Sequence, residues 1–322
     1  MSFDLDSRDF DVLTFGETMG LYYPDGHRGI AEGGRMIESF GGAESNVAIA
    51  LARLGCTAGW FGRLGDDPIG HGICRTLRGE GVDVSRLIFS NKAPTGLMLR
   101  ENVRSQISVY YYRKNSAASY LAPSDLDESY LRSAKILHIT GITLALSQTS
   151  RDTVFDAVRM AKQAGVQISF DPNLRLKLWS MEEARPVLWQ LAEEADYYLP
   201  GLDELKMLCE TGDEQELLSR IRSLKTLTVV KSAGLQNWIV TPTSVTHVPF
   251  ESIPRLVDSV GAGDGFCAGF LAGISKGWSA EMSVRLAGIV GALTVQKEGD
   301  WESLPTWREV EQLLINTPRV ER

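Results

Sequence analysis

Short apolar runs of four or five residues alternate with longer segments of helical period along nearly the whole chain, and few folds accept that rhythm. Runs such as Ile136-Leu-His-Ile-Thr140 suit parallel strands buried on both faces, with helices crossing between them over the sheet. The spacing predicts central strands at Val12–Phe15, Gly59–Gly62, Ile136–Thr140, Gln167–Asp171, Tyr197–Pro200 and Leu227–Lys231. It predicts helices near Ala43–Leu54, Ile69–Glu80, Thr149–Ala164, Met181–Glu194, Leu202–Glu210, Ala262–Lys276, Ala280–Val295 and Trp307–Leu314. Gly55, Gly165 and Gly277 stand just past three of these, where C-terminal caps belong. With 322 residues, 43% of them hydrophobic, the chain can bury one large core. The expected class is α/β, with a mostly parallel central sheet covered by helices on both faces.

Two segments break the rhythm. Leu21–Phe40 carries several glycines and no helical stripe, and Thr95–Arg113 reads as two strands, Leu97–Glu101 and Ile107–Tyr112, joined by a polar turn. Together they form an expected small β-sheet, either a lid over the strand ends or plain surface hairpins. The division that follows is a main domain of residues 10–20, 41–94 and 114–316, an inserted β-lid of 21–40 and 95–113, and a tail of 317–322.

A net charge of −8 argues against a nucleic-acid surface, which needs clustered Lys and Arg, and favours a small metabolite as partner. The acidic, polar N-terminus does not resemble a signal peptide, and the longest apolar run, Ala287 to Val295, is too short to span a bilayer. No membrane association and a cytoplasmic location are expected. Cys56, Cys74, Cys209 and Cys267, and His27, His71, His138 and His247, show no metal-ligand spacing.

The chemistry concentrates in Asp258-Ser-Val-Gly-Ala-Gly-Asp264. Gly261, Ala262 and Gly263 leave backbone N–H groups open to an anion at the start of a helix, and Asp264 stands beside it, able to accept a proton from a hydroxyl. Alone, the run serves equally well as a tight turn with a first-turn carboxylate. Earlier, Gly41-Gly-Ala-Glu-Ser-Asn46 offers a glycine pair for close approach and an amide that both donates and accepts.

These two motifs, with Gly62-Arg-Leu-Gly-Asp-Asp-Pro-Ile-Gly70 and Asp171-Pro-Asn-Leu-Arg175 between them, resemble the ribokinase-like (PfkB) sugar kinases in order and spacing, over roughly Val12 to Leu304. The resemblance implies ATP and Mg²⁺ as cofactors and Asp264 as the catalytic base. It implies Gly261 to Gly263 as the anion hole, and Gly41, Gly42 and Asn46 in the sugar site. Asn173, Lys231, Ser232, Gly234, Gly261, Gly263 and Gly288 would meet the nucleotide. Glu204 would hold Mg²⁺ through water, and Asp258 stands where the family can bind a monovalent cation such as K⁺. The lid would also join subunits of a homo-oligomer, a dimer or higher. Departures lie at the nucleotide end: Gly201 stands where many members have Asn, Ala233 and Gln236 where Gly is expected, and Gly288 where Asn is common.

Ile107-Ser-Val-Tyr-Tyr-Tyr-Arg113 speaks to the substrate. Strand alternation puts Tyr110 and Tyr112 on one face and Tyr111 on the other, with Arg113 at the end, able to reach a carboxylate. Arg175 is a second candidate for that anion. With Gly-Gly-Ala-Glu-Ser-Asn and Asp-Pro-Asn-Leu-Arg, this stretch resembles the 2-keto-3-deoxygluconate kinases, although Met98 stands where an aromatic is expected. The implied reaction is phosphorylation of the C6 hydroxyl of an acid sugar. A fructokinase or other neutral-sugar kinase, and a non-catalytic sugar sensor on the same fold, are the alternatives.

Overall fold

A computed structural model describes residues 8–26, 28–104, 106–232, 236–249 and 255–315; Gly234 and the tail 317–322 lie outside them. In chain order the strands are β1 (Phe10–Phe15), β2 (Met19–Pro24), β3 (Met36–Gly41), β4 (Ala58–Phe61), β5 (Arg63–Gly65), β6 (Ile88–Ser90), β7 (Leu97–Val103), β8 (Gln106–Tyr112), β9 (Ala134–Thr140), β10 (Gln167–Asp171), β11 (Tyr197–Tyr198), β12 (Leu227–Val230), β13 (Asn237–Val240) and β14 (Val245–Val248).

Eight strands form one sheet in the order β14-β13-β12-β11-β10-β9-β1-β4. Every pairing from β12 to β4 is parallel. Each inner strand feeds both faces: Leu13 and Phe15 of β1 join one apolar cluster and Val12 the other, and in β9 Leu137 and Ile139 face away from Ile136. The predicted helices are present with ends shifted by a residue or two, and Gly55, Gly165 and Gly277 all take positive φ just beyond them. The hairpin of β13 and β14 escapes the sequence reading because its two four-residue strands, split by Thr-Pro-Thr-Ser, have no helix between them. Among the described residues no helix is long and apolar enough to cross a membrane.

The site is placed by topology. From β1 the chain steps to β4 on one side and later returns to β9 on the other, so the strand order reverses at β1 and a crevice opens at the carboxyl ends. Glu17 follows β1, Thr140 ends β9, Asp171 ends β10 and Lys231 follows β12. Helices Ala43–Arg53 and Ala262–Ser275 start at the same edge.

Over it lies a second sheet, ordered β3-β2-β7-β8. Hairpins β2–β3 and β7–β8 are antiparallel and meet through the parallel pair β2–β7. Met19, Leu21 and Met98 are buried on its inner face, with Tyr23 and Val109 against them. Among the contacts that tie it to the body, Ser39 Oγ donates to Glu302, Phe40 stacks on Trp301 at 5.1 Å, and Lys177 Nζ donates to the Val109 carbonyl at 3.1 Å.

Glu44, in the first turn of helix Ala43–Arg53, is fully buried beneath the crevice. Its Oε1 accepts from Thr140 at 2.6 Å and Thr143 at 2.7 Å, while Oε2 has no partner, and burial pushes the carboxyl up to about 7. A carboxyl raised in the folded state binds more protons there than in the unfolded chain. Its contribution to stability therefore falls as pH rises from about 4.3 to about 7, and above that it costs on the order of 3 kcal/mol. Glu44→Gln should flatten the decline in melting temperature between pH 5 and 8 and melt no lower than the parent at pH 8. An undiminished pH slope in the variant would refute this account.

Candidate active site

Gly261 caps helix Ala262–Ser275 in the left-handed region (φ 76°, ψ −9°), and a Cβ there would lie 2.8 Å from the Asp300 carbonyl oxygen. Only glycine takes this turn without strain. The turn leaves Val260, Gly261, Gly263 and Asp264 on the wall of a cleft of about 1530 Å³, while Ala262 stays behind it. The volume exceeds the few hundred to about 1,000 Å³ typical of a single small ligand, so two can share it.

Asp264 is joined across the cleft floor to two other residues. Asn46 Nδ2 donates to Asp264 Oδ2 at 2.8 Å and to Asp300 Oδ1 at 2.6 Å. Burial pushes Asp264 up to about 6, against the pull of the Asn46 amide. Burial, then the charge of Asp264, pushes Asp300 up to about 7. Gly41 must lack a side chain, because a Cβ there would overlap the Asp300 carboxylate. Gly42, which caps the 43–53 helix, is packed against the Glu17 carbonyl in the same way. Sequence reasoning missed Asp300. It follows a glycine on an irregular loop, and no spacing links it to the Asp264 motif 36 residues earlier; only folding brings it to Asn46.

Beside Asp264 lies a cationic end. Lys231 Nζ donates to Asp171 Oδ2 at 2.6 Å; burial works against its charge, but Asp171 outweighs that and holds the ammonium above the usual lysine range. Cys267 Sγ also reaches Asp171, at 3.3 Å, and burial pushes that thiol up, so it serves packing rather than nucleophilic chemistry. Arg175 lines the cleft and makes no ion pair among the described residues. Asn173, with φ 37°, also lines it. Glu204 ties two loops together, its oxygens accepting from Leu174 N at 2.8 Å and Gly201 N at 2.9 Å. Ser232 and Gly288, expected at the nucleotide, are not on this cleft wall: Ser232 N is bonded to Asn237 Oδ1 at 3.1 Å, and Gly288 is buried in helix Ala280–Thr294.

Three further sequence expectations need correction. The face of β8 that meets the cleft carries Ile107, Val109 and Tyr111, so Tyr110 and Tyr112 point outward, 48% and 64% exposed. The Tyr110 hydroxyl bonds Glu101 at 2.8 Å. Arg113 does line the cleft, over the Tyr111 ring, but its Nη2 is already ion-paired with buried Glu17, which also accepts from Ser116 Oγ at 2.6 Å. Arg113 Nε has no partner. Asp258 does not fit the role of a cation ligand: Oδ2 accepts from Arg100 Nη1 at 2.8 Å and Oδ1 from Val260 N at 3.1 Å.

The sequence matches the model of the pfkB family carbohydrate kinases over residues 9–307. The chain belongs to that family. Among curated relatives, a 2-dehydro-3-deoxygluconokinase of Bacillus subtilis is 38% identical over 94% of this chain and 95% of its own. A PfkB protein from Polaromonas sp. JS666 superposes with a TM-score of 0.86 at 34% identity, over 94% of this chain and 99% of that one. A double-mutant fructokinase from Vibrio cholerae O395, solved with fructose, ADP and a potassium ion, gives 0.84 at 28% identity, over 96% and 99%. The ribokinase-like fold with its small lid sheet is thereby established, and this PfkB chain is a sugar kinase.

The shared Asn46 amide makes a measurable claim about the kinase's resting site. Since it favours the charged form of both carboxylates, Asn46→Ala should move the Asp264 and Asp300 titrations upward from about 6 and about 7, read by carboxyl ¹³C NMR. Titrations left in place would show that the amide does not bridge them.

Proposed function

We propose that this kinase transfers the γ-phosphate of ATP to the C6 hydroxyl of an acid sugar, 2-keto-3-deoxygluconate, the same compound as the 2-dehydro-3-deoxygluconate of the relative's name. One observation carries the reading. Arg113 and Lys177 flank the Tyr111 ring on the cleft wall, Arg175 lines the same cleft, and neither Lys177 nor Arg175 is paired with a carboxylate among the described residues. A neutral sugar has no use for that density of positive charge, whereas a carboxylate does.

With its carboxylate held at the lid, the sugar presents its far hydroxyl to Asp264. Asp264 accepts the hydroxyl proton as the oxygen attacks the γ-phosphorus, and a pKa raised to about 6 brings it closer to that task while leaving it mostly ionised at neutral pH. Asn46 holds the carboxylate in place. The Gly261 and Gly263 amides, the positive end of their helix and Lys231 receive the charge that gathers on the transferred group. Asp300 and the Gly41–Gly42 backbone border the sugar body. Among the described residues no cluster of three or more His, Cys, Asp or Glu could cage a metal, so Mg²⁺ would enter on the nucleotide's phosphates and offset their charge, with Glu204 at a water's distance. The lid keeps water from competing for the phosphate. Its outer side, with Met36, Tyr110 and Tyr112 exposed, is the surface on which a second copy would dock.

A neutral-sugar reading is favoured by a different observation: Glu17 already neutralises Arg113, and Glu17 and Asp300 both suit hydroxyls. A panel of 2-keto-3-deoxygluconate, its galacto epimer, fructose and ribose, assayed for ATP consumption, separates the two. The acid sugars should be preferred, and Arg113→Ala should raise their KM roughly 10- to 100-fold while changing fructose turnover little. Preference for fructose by the parent enzyme would decide for the neutral sugar. Asp264→Asn should lower kcat by about 10²- to 10⁴-fold, and the parent's acid limb should fall near pH 6 rather than near 4. Turnover of the variant close to parental would remove Asp264 from the role of base.

A further inference from the structure

The inner face of the lid carries one cation among its apolar side chains. Arg100, on β7 directly across from Val109, is only 8% exposed among Met19, Leu21, Met98 and Tyr23. A guanidinium there requires compensation. Tyr23 lies beneath it, with the ring centroid 4.9 Å from Cζ, and Asp258 of the main domain accepts from Nη1 at 2.8 Å. Asp258 is itself 5% exposed, and its second oxygen takes the Val260 amide at 3.1 Å. The carboxylate that meets the lid therefore also shapes the turn leading into Gly261–Gly263.

We propose that Arg100 is a positioning residue carried on the lid, supplying Asp258 with its positive charge when the lid is down, and so setting the anion loop in place of a monovalent cation. The inference rests on the sugar-kinase reading of the site. A Vibrio cholerae fructokinase was solved with a potassium ion bound; here Asp258, the carboxylate that the sequence offers to a monovalent cation, holds a tethered guanidinium. A charge fixed to the chain acts without a free ion in solution, and its arrival depends on lid position. The loop is completed only over an enclosed sugar, which couples phosphate acceptance to the exclusion of water.

The test compares the parent, Arg100→Gln and Arg100→Lys in potassium and in tetramethylammonium chloride at equal ionic strength. It has two readouts: steady-state kinetics with the sugar identified from the panel, and melting temperature without substrate. The parent should show the same kcat in both salts, within about twofold, and the same melting temperature. Arg100→Gln should lose on the order of 10- to 100-fold in kcat, with the KM for ATP and for sugar changed less than about threefold. Potassium or free guanidinium should recover part of that loss and raise the variant's melting temperature but not the parent's. Arg100→Lys should fall between them. A parent activated tenfold or more by potassium overturns the proposal, as does an Arg100→Gln enzyme with parental kcat. A loss confined to the sugar KM would make Arg100 a substrate contact instead. If Arg100→Gln fails to fold, Arg100→Lys and the parent's salt comparison decide. If no sugar in the panel consumes ATP, the sugar-kinase reading fails on its own, and the salt dependence of melting still tests the pairing of Arg100 with Asp258.

Discussion

One side-chain amide holds the floor of this site together. Asn46 Nδ2 lies between Asp264 and Asp300, donating to both, and without a donor there two buried carboxylates would face each other with no compensation. Its placement makes several other choices necessary. Asn46 must project from the first turns of one helix and Asp264 from the first turn of another, so both helices start at the same sheet edge. Gly41 must be bare to admit Asp300, and Gly261 must turn left-handed beneath the Asp300 carbonyl. The glycines that look like phosphate-loop punctuation in the sequence are equally the space reserved for the second carboxylate, Asp300.

Charge is arranged along the cleft in opposed pairs with a surplus at chosen points. Asp171 answers Lys231, Glu17 answers Arg113 and Asp258 answers Arg100, each with at least one member buried. Arg175 and Lys177 are among the cations such pairs leave over. A buried pair contributes little net stability, because desolvation cancels most of the attraction; what it gives is a defined geometry. The paired cations keep strand ends and lid in register, and the unpaired ones remain available to an anionic ligand.

Much of this was legible in the sequence. The βα rhythm located the inner strands because parallel strands buried on both faces must be apolar throughout, and Asp258–Asp264 was conspicuous because small residues, a helix start and a carboxylate coincide. Glu17, Asp300 and Arg100 were not legible: each is a charged residue on a strand end, loop or lid, with its partner far off in sequence, 254 residues for Asp300 with Asn46, 158 for Arg100 with Asp258 and 96 for Glu17 with Arg113. Period-two alternation separated Tyr111 from Tyr110 and Tyr112 but could not say which side met the cleft, since that depends on how the whole lid docks. The nucleotide contacts expected at Ser232 and Gly288 came from resemblance, and neither residue is among those that line the cleft.

The lid is stitched from two hairpins that leave the main domain at different places. Their only shared seam is the parallel pairing of Gly20–Tyr22 with Leu97–Leu99, and the chain between them carries the first helix and β4, which belong to the main sheet. Each hairpin can form locally, but the seam needs the intervening βα unit already folded to bring its ends together, a contact of high sequence separation and slow closure. The four-stranded lid should therefore assemble late in folding and open first when the native state fluctuates. A protein made in this order completes its eight-stranded sheet and the helices that cover it before it acquires the smaller sheet that lies over the cleft.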